Sequence, residues 1–439
     1  MSEKQLNKYF KTHEGCLIVK GKKGFAIYDL VSGDVYSLDK RVGEAIFSLD
    51  TKKLSINEAL REYSLREKKV ILKAIKELIT LGCGKVYRKN VYIPKVKALM
   101  EEKVLLENRG IFHLQSIDCE ISKDCNVNCI HCENTKIINC GGCRKDGNLK
   151  NSLTLKEWKT IIEEASLFKC RKIRFVGGEP FLLKDELLEL IEWAEQLNYS
   201  SIEIITNATL LNEDIIKFLK SMKNIFLTVP IYSSLPQIHD SITGEKGSFE
   251  EALKNVRKIK DFSIPINVYL LVLKQNQPFI EETISFFKSM GVECVTEIPK
   301  PVDINFASDL IPERYTEKVF KKKPILDKVN LSWFFFSMYW NPCWAFKVSI
   351  KNNGDVVPCL PARGEIMGNV KKNSLRELLI NGKIIKYWEI SKDNIKKCKN
   401  CEFRYACDDC RVLAKENGGT LDSPYPYCYY HKKGGFYEI

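Results

Sequence analysis

No apolar stretch in this 439-residue chain reaches the length of a membrane-spanning helix. The densest run, Trp333 to Trp340, is too short, which excludes a helical membrane-embedded class. The opening residues Met1 to Leu6 lack the apolar core of a secretion signal, so a cytoplasmic location is expected. Internal repeats and low-complexity segments are absent, which sets aside stacked-repeat architectures and long disordered tracts. No arginine-rich tract or basic patch interleaved with aromatics occurs, so nothing supports nucleic acid as a partner.

What is present is an ordinary globular balance, 44% hydrophobic and 28% charged, with length for two or three domains. Charge is uneven. Of a net +13, a surplus of 10 falls in residues 1–100, which hold 21 Lys and Arg against 11 Asp and Glu. Such a basic segment suits an acidic peptide or surface, or is simply a solvated lysine-rich exterior. Seventeen cysteines without a secretion signal argue for metal sites and against disulfides, because cytosolic thiols stay reduced. Ten of them fall in two sets, Cys125 to Cys132 and Cys343 to Cys428, and Cys140 and Cys143 form a further close pair. Cys16, Cys83, Cys119, Cys170 and Cys294 read as isolated small hydrophobes.

The N-terminal part predicts short strands and then helices. Apolar runs at Leu17–Gly21, Gly24–Asp29 and Val35–Leu38 are separated by glycine-bearing turns, with a hairpin turn at Ser32-Gly33-Asp34. Helical spacing follows over 40–49 and 68–81, with Gly82 and Gly84 as expected stops. From about residue 111 strands and helices alternate, the mark of a parallel α/β sheet. Expected strands are 114–121, 172–176, 201–205, 225–230, 265–273 and 292–296, with helices such as 155–166 and 184–196 between them.

The chemistry concentrates in Cys125-x3-Cys129-x2-Cys132, followed one βα unit later by Gly177-Gly178-Glu179-Pro180. Three thiolates hold three corners of a cubane iron–sulfur cluster, and the fourth iron then keeps an open position where chemistry can occur. The same spacing could put the cysteines on one face of a buried helix, but Asn126, Asn128 and the flanking charges suit a loop. Gly177 and Gly178 remove side chains where backbone must approach a bound molecule. Ser248 reads as a helix N-cap with Glu251 completing a capping box, and Asp240 offers no defensible general base; the catalytic residue stays unknown.

These two motifs resemble the radical S-adenosylmethionine (SAM) superfamily. The resemblance implies a partial (β/α)6 barrel over residues 111–305, with SAM on the free iron of a [4Fe-4S] cluster. Gly177, Gly178, Glu179 and Pro180 would bind SAM, Glu179 facing its amino group. Thr206, Asn207, Ser233 and Asn276 would add contacts, although Ala208 stands where the family has glycine. His131, in a slot usually aromatic, is expected to pack beside the cluster. Cys343, Gly354, Cys359 and the run Cys398-x2-Cys401-x5-Cys407-x2-Cys410, with Cys428 beyond, are similar to the cysteine-rich SPASM extension, here residues 343–439. Its final spacing is normally x3. By that resemblance Cys343, Cys359 and Cys410 would hold one auxiliary [4Fe-4S] cluster, and Cys398, Cys401, Cys407 and Cys428 a second. Structural zinc is the rival, but ribbon knuckles are usually roughly 15–20 residues apart.

Residues 1–95 resemble the winged-helix-like, PqqD-like precursor-recognition element, which adds a leader peptide as an extra strand. Residues 96–110 would be a linker and 306–342 a bridging region. Together these imply an α/β radical SAM/SPASM peptide maturase, with a flavodoxin or ferredoxin as reductant. It would crosslink a ribosomal precursor peptide through a 5′-deoxyadenosyl radical, forming a thioether or a carbon–carbon bond. A maturase of folded proteins and a non-catalytic iron–sulfur or zinc protein are the alternatives. Cys140 and Cys143 could guard the site, bind metal or exchange thiols, or be plain loop thiols.

Overall fold

The computed structural model describes residues 6–97, 113–132, 137–139, 152–302, 309–312, 328–407, 409–426 and 428. The Cys140–Cys143 pair lies outside the described residues, as do parts of the expected linker and bridging region. The chain divides into two units. One gathers described residues of Met1–Val104, Lys321–Cys343 and Glu389–Ile439; the other, those of Leu105–Phe320 and Trp344–Trp388.

The first unit is built on a three-stranded antiparallel meander, β2 (Cys16–Lys20), β3 (Gly24–Asp29) and β4 (Val35–Asp39). A second ribbon pairs β1 (Tyr9–Thr12) with β5 (Gly84–Tyr87), Thr12 opposite Gly84. All six residues of β3 are buried because both of its faces are covered. Phe25 and Ile27 point to a core with Ile46, Leu49, Ile71 and Ile75 from the helices Lys40–Thr51 and Leu65–Thr80. Their neighbours Ala26 and Tyr28 point the other way, to Phe334 and Phe335 of the helix Leu331–Tyr339 and to Phe403 and Tyr405. The period of two in a strand thus divides one apolar run between two cores. The aromatic run singled out in the sequence is that covering helix.

Ser55 and Ser64 each close a capping box, with Glu58 and Glu67. Gly33 turns the β3–β4 hairpin at φ +84°. Gly82, at φ +79°, follows the second helix as expected, but Gly84 is no stop: it opens β5. The β1–β5 ribbon went unforeseen because each strand has only four residues.

The second unit carries six parallel neighbours, β6 (Ser116–Ser122), β8 (Lys172–Gly177), β9 (Ser201–Ile205), β10 (Ile225–Pro230), β11 (Ile266–Leu271) and β12 (Glu293–Glu297). Helices Leu155–Leu167, Lys184–Gln196, Glu213–Ser221, Pro236–Thr243 with Ser248–Asp261, and Ile280–Ser289 supply the crossovers. A small ribbon joins β7 (Ile137–Ile138) to β13 (Lys300–Pro301). On the far side of β6 the sheet continues with β14 (Lys347–Ile350), parallel, then β15 (Asp355–Val357) and β16 (Gly368–Asn369), antiparallel. Among the described residues the sheet stays open, ending on β12 and β16, so the fold is an α/β partial barrel. Open parallel sheets place ligand chemistry beyond the carboxyl ends of their strands. The two leading motifs follow β6 and β8 at that edge.

Candidate active site

Cys125, Cys129 and Cys132 lie in the loop after β6, not on a helix face. The loop is fastened by backbone. Asn128 and Ile130 donate N–H bonds to the carbonyls of Thr243 (2.8 Å) and Ile242 (2.9 Å), at the end of the helix Pro236–Thr243. Gly244 caps that helix at φ +68°, and a Cβ there would stand 2.9 Å from the Asn128 carbonyl oxygen. The stretch from His239 to Gly247 therefore acts as the platform of the cysteine loop. Asp240 is spent within it, accepting from Gly247 N–H (2.7 Å), Phe249 N–H (3.0 Å) and Ser248 Oγ (3.0 Å). The expected capping box at Ser248 does not form: Gly247 is the N-cap, and Ser248 is the first helical residue.

The Gly177-Gly178 pair also meets a need of the chain itself. A Cβ on Gly177 would meet the Ser122 carbonyl oxygen at 1.9 Å, and one on Gly178 the Asp124 oxygen at 2.1 Å. Gly178 N–H bonds Ser122 O (2.9 Å) and Glu179 N–H bonds Asp124 O (2.8 Å). What approaches here is the chain's own 122–124 segment, the lead-in to Cys125. Pro180 then starts a buried single turn, Pro180–Leu183.

Glu179 is fully buried. Its Oε1 accepts from Phe181 N–H (3.0 Å) and Thr206 Oγ1 (2.8 Å), and its Oε2 from Asn207 N–H (2.8 Å). Burial pushes its carboxyl from near 4.5 up to about 7. A folded value above the unfolded one means that the folded state binds the proton more tightly, so stability falls as pH rises between about 4.5 and about 7. Glu179→Gln is expected to remove that slope from urea midpoints measured on SAM-free protein at pH 5 and pH 8. An unchanged slope would place the titration elsewhere.

Asn207 ties the loops together. Its Nδ2 donates to Asn126 Oδ1 (2.8 Å) and reaches Cys125 Sγ at 3.8 Å, while its Oδ1 accepts from Thr209 N–H and Oγ1. Ala208, between them, keeps the left-handed conformation of the glycine it replaces, at φ +61°. Its N–H bonds Thr206 Oγ1 (3.0 Å) and its carbonyl accepts from Asn255 Nδ2 (2.8 Å), which hold it there. That backbone costs a residue with a Cβ roughly 1–2 kcal/mol. Ala208→Gly is therefore expected to raise stability by about 1 kcal/mol, read as a higher urea midpoint; no gain would refute the strain.

Ser233 and Asn276, both buried, staple backbone as well. Ser233 Oγ accepts from Leu235 N–H (3.1 Å). Asn276 accepts from Leu273 N–H (2.7 Å) and donates to the carbonyls of Tyr232 (2.7 Å) and Leu271 (2.9 Å). Tyr232 and His239 were not foreseen. Tyr232 O–H reaches Cys129 Sγ (3.8 Å) and pairs with His131 Nε2 at 2.8 Å. Burial lowers both His131 and His239 to about 4, so both rings are neutral near pH 7. His131 thus packs beside the cysteines, as expected. A cavity lined by Cys125, Cys129, Gly178, Asn207, Tyr232 and His239 opens at this edge.

The residues fit an iron–sulfur cluster with SAM. Burial, aided by Cys132 and Cys125 nearby, pushes the Cys129 thiol up to about 12, an environment that favours thiolate only once cationic metal is present. Glu179 Oε2, with one accepted bond, has room for an ammonium donor.

In the first unit lie Cys398, Cys401, Cys407 and Cys428, the expected second auxiliary set, with Cys398 and Cys401 buried. Tyr28 on β3 steadies this segment, donating to Glu402 O (2.9 Å) and accepting from Tyr405 N–H (3.3 Å). The buried Lys392 pairs with Asp409, itself partly buried, at 2.9 Å beside Cys398 and Cys407. Cys343 and Cys410 belong to this unit and Cys359 to the other, following β15.

Residues 119–287 match the Radical SAM superfamily and residues 343–402 the SPASM iron–sulfur cluster-binding domain. The AdoMet-dependent heme synthase of Methanosarcina barkeri (strain Fusaro / DSM 804) is 23% identical over 344 residues, 71% of this chain and 95% of that protein. Among solved structures, Streptococcus suis SuiB bound to the precursor peptide SuiA aligns with TM-score 0.55 and 17% identity, over 96% of this chain and 100% of that one. A polyhistidine-tagged anSMEcpe with bound AdoMet aligns with TM-score 0.55 and 16% identity, over 73% and 91%. At these identities the likeness is one of fold. No helix among the described residues is long and apolar enough to cross a membrane.

Proposed function

From a chain that is a radical SAM enzyme with a SPASM iron–sulfur domain, we propose a maturase that crosslinks a ribosomal precursor peptide, preferentially through a cysteine thioether and secondarily through a carbon–carbon bond. The observation carrying this is coverage. The peptide-bound SuiB structure aligns with 96% of the chain, while the heme synthase leaves more than a quarter of it unmatched.

When bound, the cluster and SAM supply a 5′-deoxyadenosyl radical able to take hydrogen from an unactivated carbon. Cys125, Cys129 and Cys132 would hold that cluster, and Glu179 would orient SAM through its amino group. Tyr232 and the neutral His131 and His239 wall the site and keep water from it. Cys398, Cys401, Cys407 and Cys428 would hold an auxiliary cluster. Residues 1–95 would bind the leader, an edge of the β2–β3–β4 sheet accepting it as a further strand. A flavodoxin or ferredoxin would supply the electron.

The test is anaerobic reconstitution with iron and sulfide, then SAM, dithionite and the cysteine-bearing short peptide encoded nearest to this chain. Crosslinking removes two hydrogens from the peptide, a loss read by mass spectrometry alongside 5′-deoxyadenosine. Turnover only with an iron tetrapyrrole would instead favour the heme-synthase likeness, and turnover only with a folded protein a side-chain oxidase. No 5′-deoxyadenosine under any condition would reject the enzyme.

A further inference from the structure

Three side chains that the expected cofactors leave unused meet in the N-terminal part of the first unit: His13, Cys16 and Asp29. His13 Nε2 lies 3.2 Å from Cys16 Sγ and 3.5 Å from Asp29 Oδ1. The ligand atoms of these three all fall within 4.8 Å of one another. The register of β2 on β3 sets Cys16 opposite Asp29, and the Cys83 carbonyl accepts the His13 N–H at 3.0 Å. Cys16 and Cys83 are both buried in this unit's core, as their spacing suggested, but Cys16 also faces two ligand-type groups.

We propose that this trio is a site for a zinc-class divalent ion, held by a thiolate, an imidazole and a carboxylate, with water as the fourth ligand. Zinc takes four ligands tetrahedrally, with Zn–S about 2.3 Å and Zn–N about 2.0–2.1 Å, which puts the S···N edge near ~3.6 Å and the N···O edge near ~3.4 Å. The observed 3.2 and 3.5 Å need only a few tenths of an ångström of adjustment. The Cys16 thiol and Asp29 are buried, while the His13 side chain keeps 30% exposure, leaving the ion a path in.

A second shell is already built around the carboxylate. Val31 N–H (3.0 Å) and Ser32 Oγ (3.0 Å) hold Asp29 in its turn. One contact opposes ligation: Gly15 N–H donates to His13 Nδ1 at 3.0 Å, whereas an imidazole bound through Nε2 carries its proton on Nδ1. Metal binding must turn the Gly15 peptide away.

The placement gives such an ion a job. His13 follows β1, Cys16 opens β2 and Asp29 ends β3. One ion would clip the β1–β5 ribbon to the meander at the corner where both are short. Domains of this size commonly gain stability from such staples.

The experiment uses full-length protein made anaerobically, iron-replete, and dialysed against micromolar zinc. Elemental analysis should find one zinc per chain, and zinc-edge X-ray absorption mixed sulfur and nitrogen/oxygen ligation. His13→Ala, at the most exposed of the three ligands, should lower zinc affinity by at least ~10-fold while iron content and 5′-deoxyadenosine formation stay unchanged. Cys16→Ser should abolish zinc binding; should that variant not fold, His13→Ala alone decides. Zinc below ~0.1 per wild-type chain, zinc retained by His13→Ala at unchanged affinity, or an alkylation map showing Cys16 joined to Cys83 as a disulfide would each overturn the site.

Discussion

Cys125→Ala, reconstituted with iron and sulfide and given SAM and dithionite, is expected to lose at least ~10²-fold of its 5′-deoxyadenosine formation. Loss of even an outer-shell partner costs a metal site about 10–100-fold, and a direct thiolate ligand should exceed that. The variant should still fold. Cys125 is only partly buried, and its loop is fastened by the backbone bonds of Gly178, Glu179, Asn128 and Ile130, none of which involves its sulfur. Binding of a labelled leader peptide should therefore stay within about 2-fold of wild type, because the truncation leaves residues 1–95 themselves unchanged. Asn207→Ala, which removes an amide 3.8 Å from the same sulfur and its bond to Asn126, should give a milder loss, about 10-fold. SAM cleavage retained in Cys125→Ala would remove the cluster from this loop, whatever the activity of the rest of the chain.

The alternation of strand and helix after residue 111 was legible because most barrel strands are largely buried apolar runs bounded by turn residues, β12 with its two glutamates being the exposed exception. β9 and β10 begin and end where the sequence places them, and the Lys184–Gln196 helix does too. The cysteine loop was legible from spacing alone. Its support was not. Tyr232 and His239 carry no signal until β10 and the following helix bring them beside Cys129 and His131, and Thr209 meets Asn126 across 83 positions. β14, β15 and β16 were also missed, being of two to four residues and completing a sheet begun more than 200 positions earlier. Ser248 misled because a serine three residues before a glutamate has the form of a capping box. The N–H groups that such a cap would satisfy are taken by backbone instead, Ser248 N–H bonding Glu245 O and Glu251 N–H bonding Gly247 O. The glycine pair was recognised for a missing side chain, and the structure assigns it a further neighbour, the chain's own 122–124 segment.

That neighbour makes Gly177→Ala the sharper probe of the barrel edge. A ligand can be refused while the fold stands, but a Cβ set 1.9 Å from the Ser122 carbonyl oxygen confronts backbone, which cannot rotate away. Gly177 also sits at φ +140°, a region L side chains rarely adopt, so strain adds to the clash. Relief requires the 122–124 segment to move, and Cys125 moves with it. The expected cost exceeds ~4 kcal/mol, in the exceptional range for one substitution, and lowers the thermal midpoint of metal-free protein by at least ~8 °C. Iron uptake after reconstitution should fall in the same variant, although no ligand has been touched. Ala208→Gly, one strand away, runs in the opposite direction because there a Cβ is already held against its preference. If Gly177→Ala instead melts like wild type and fills with iron, the close approach of β8 to the cysteine loop is wrong, and the glycines would serve a bound molecule alone.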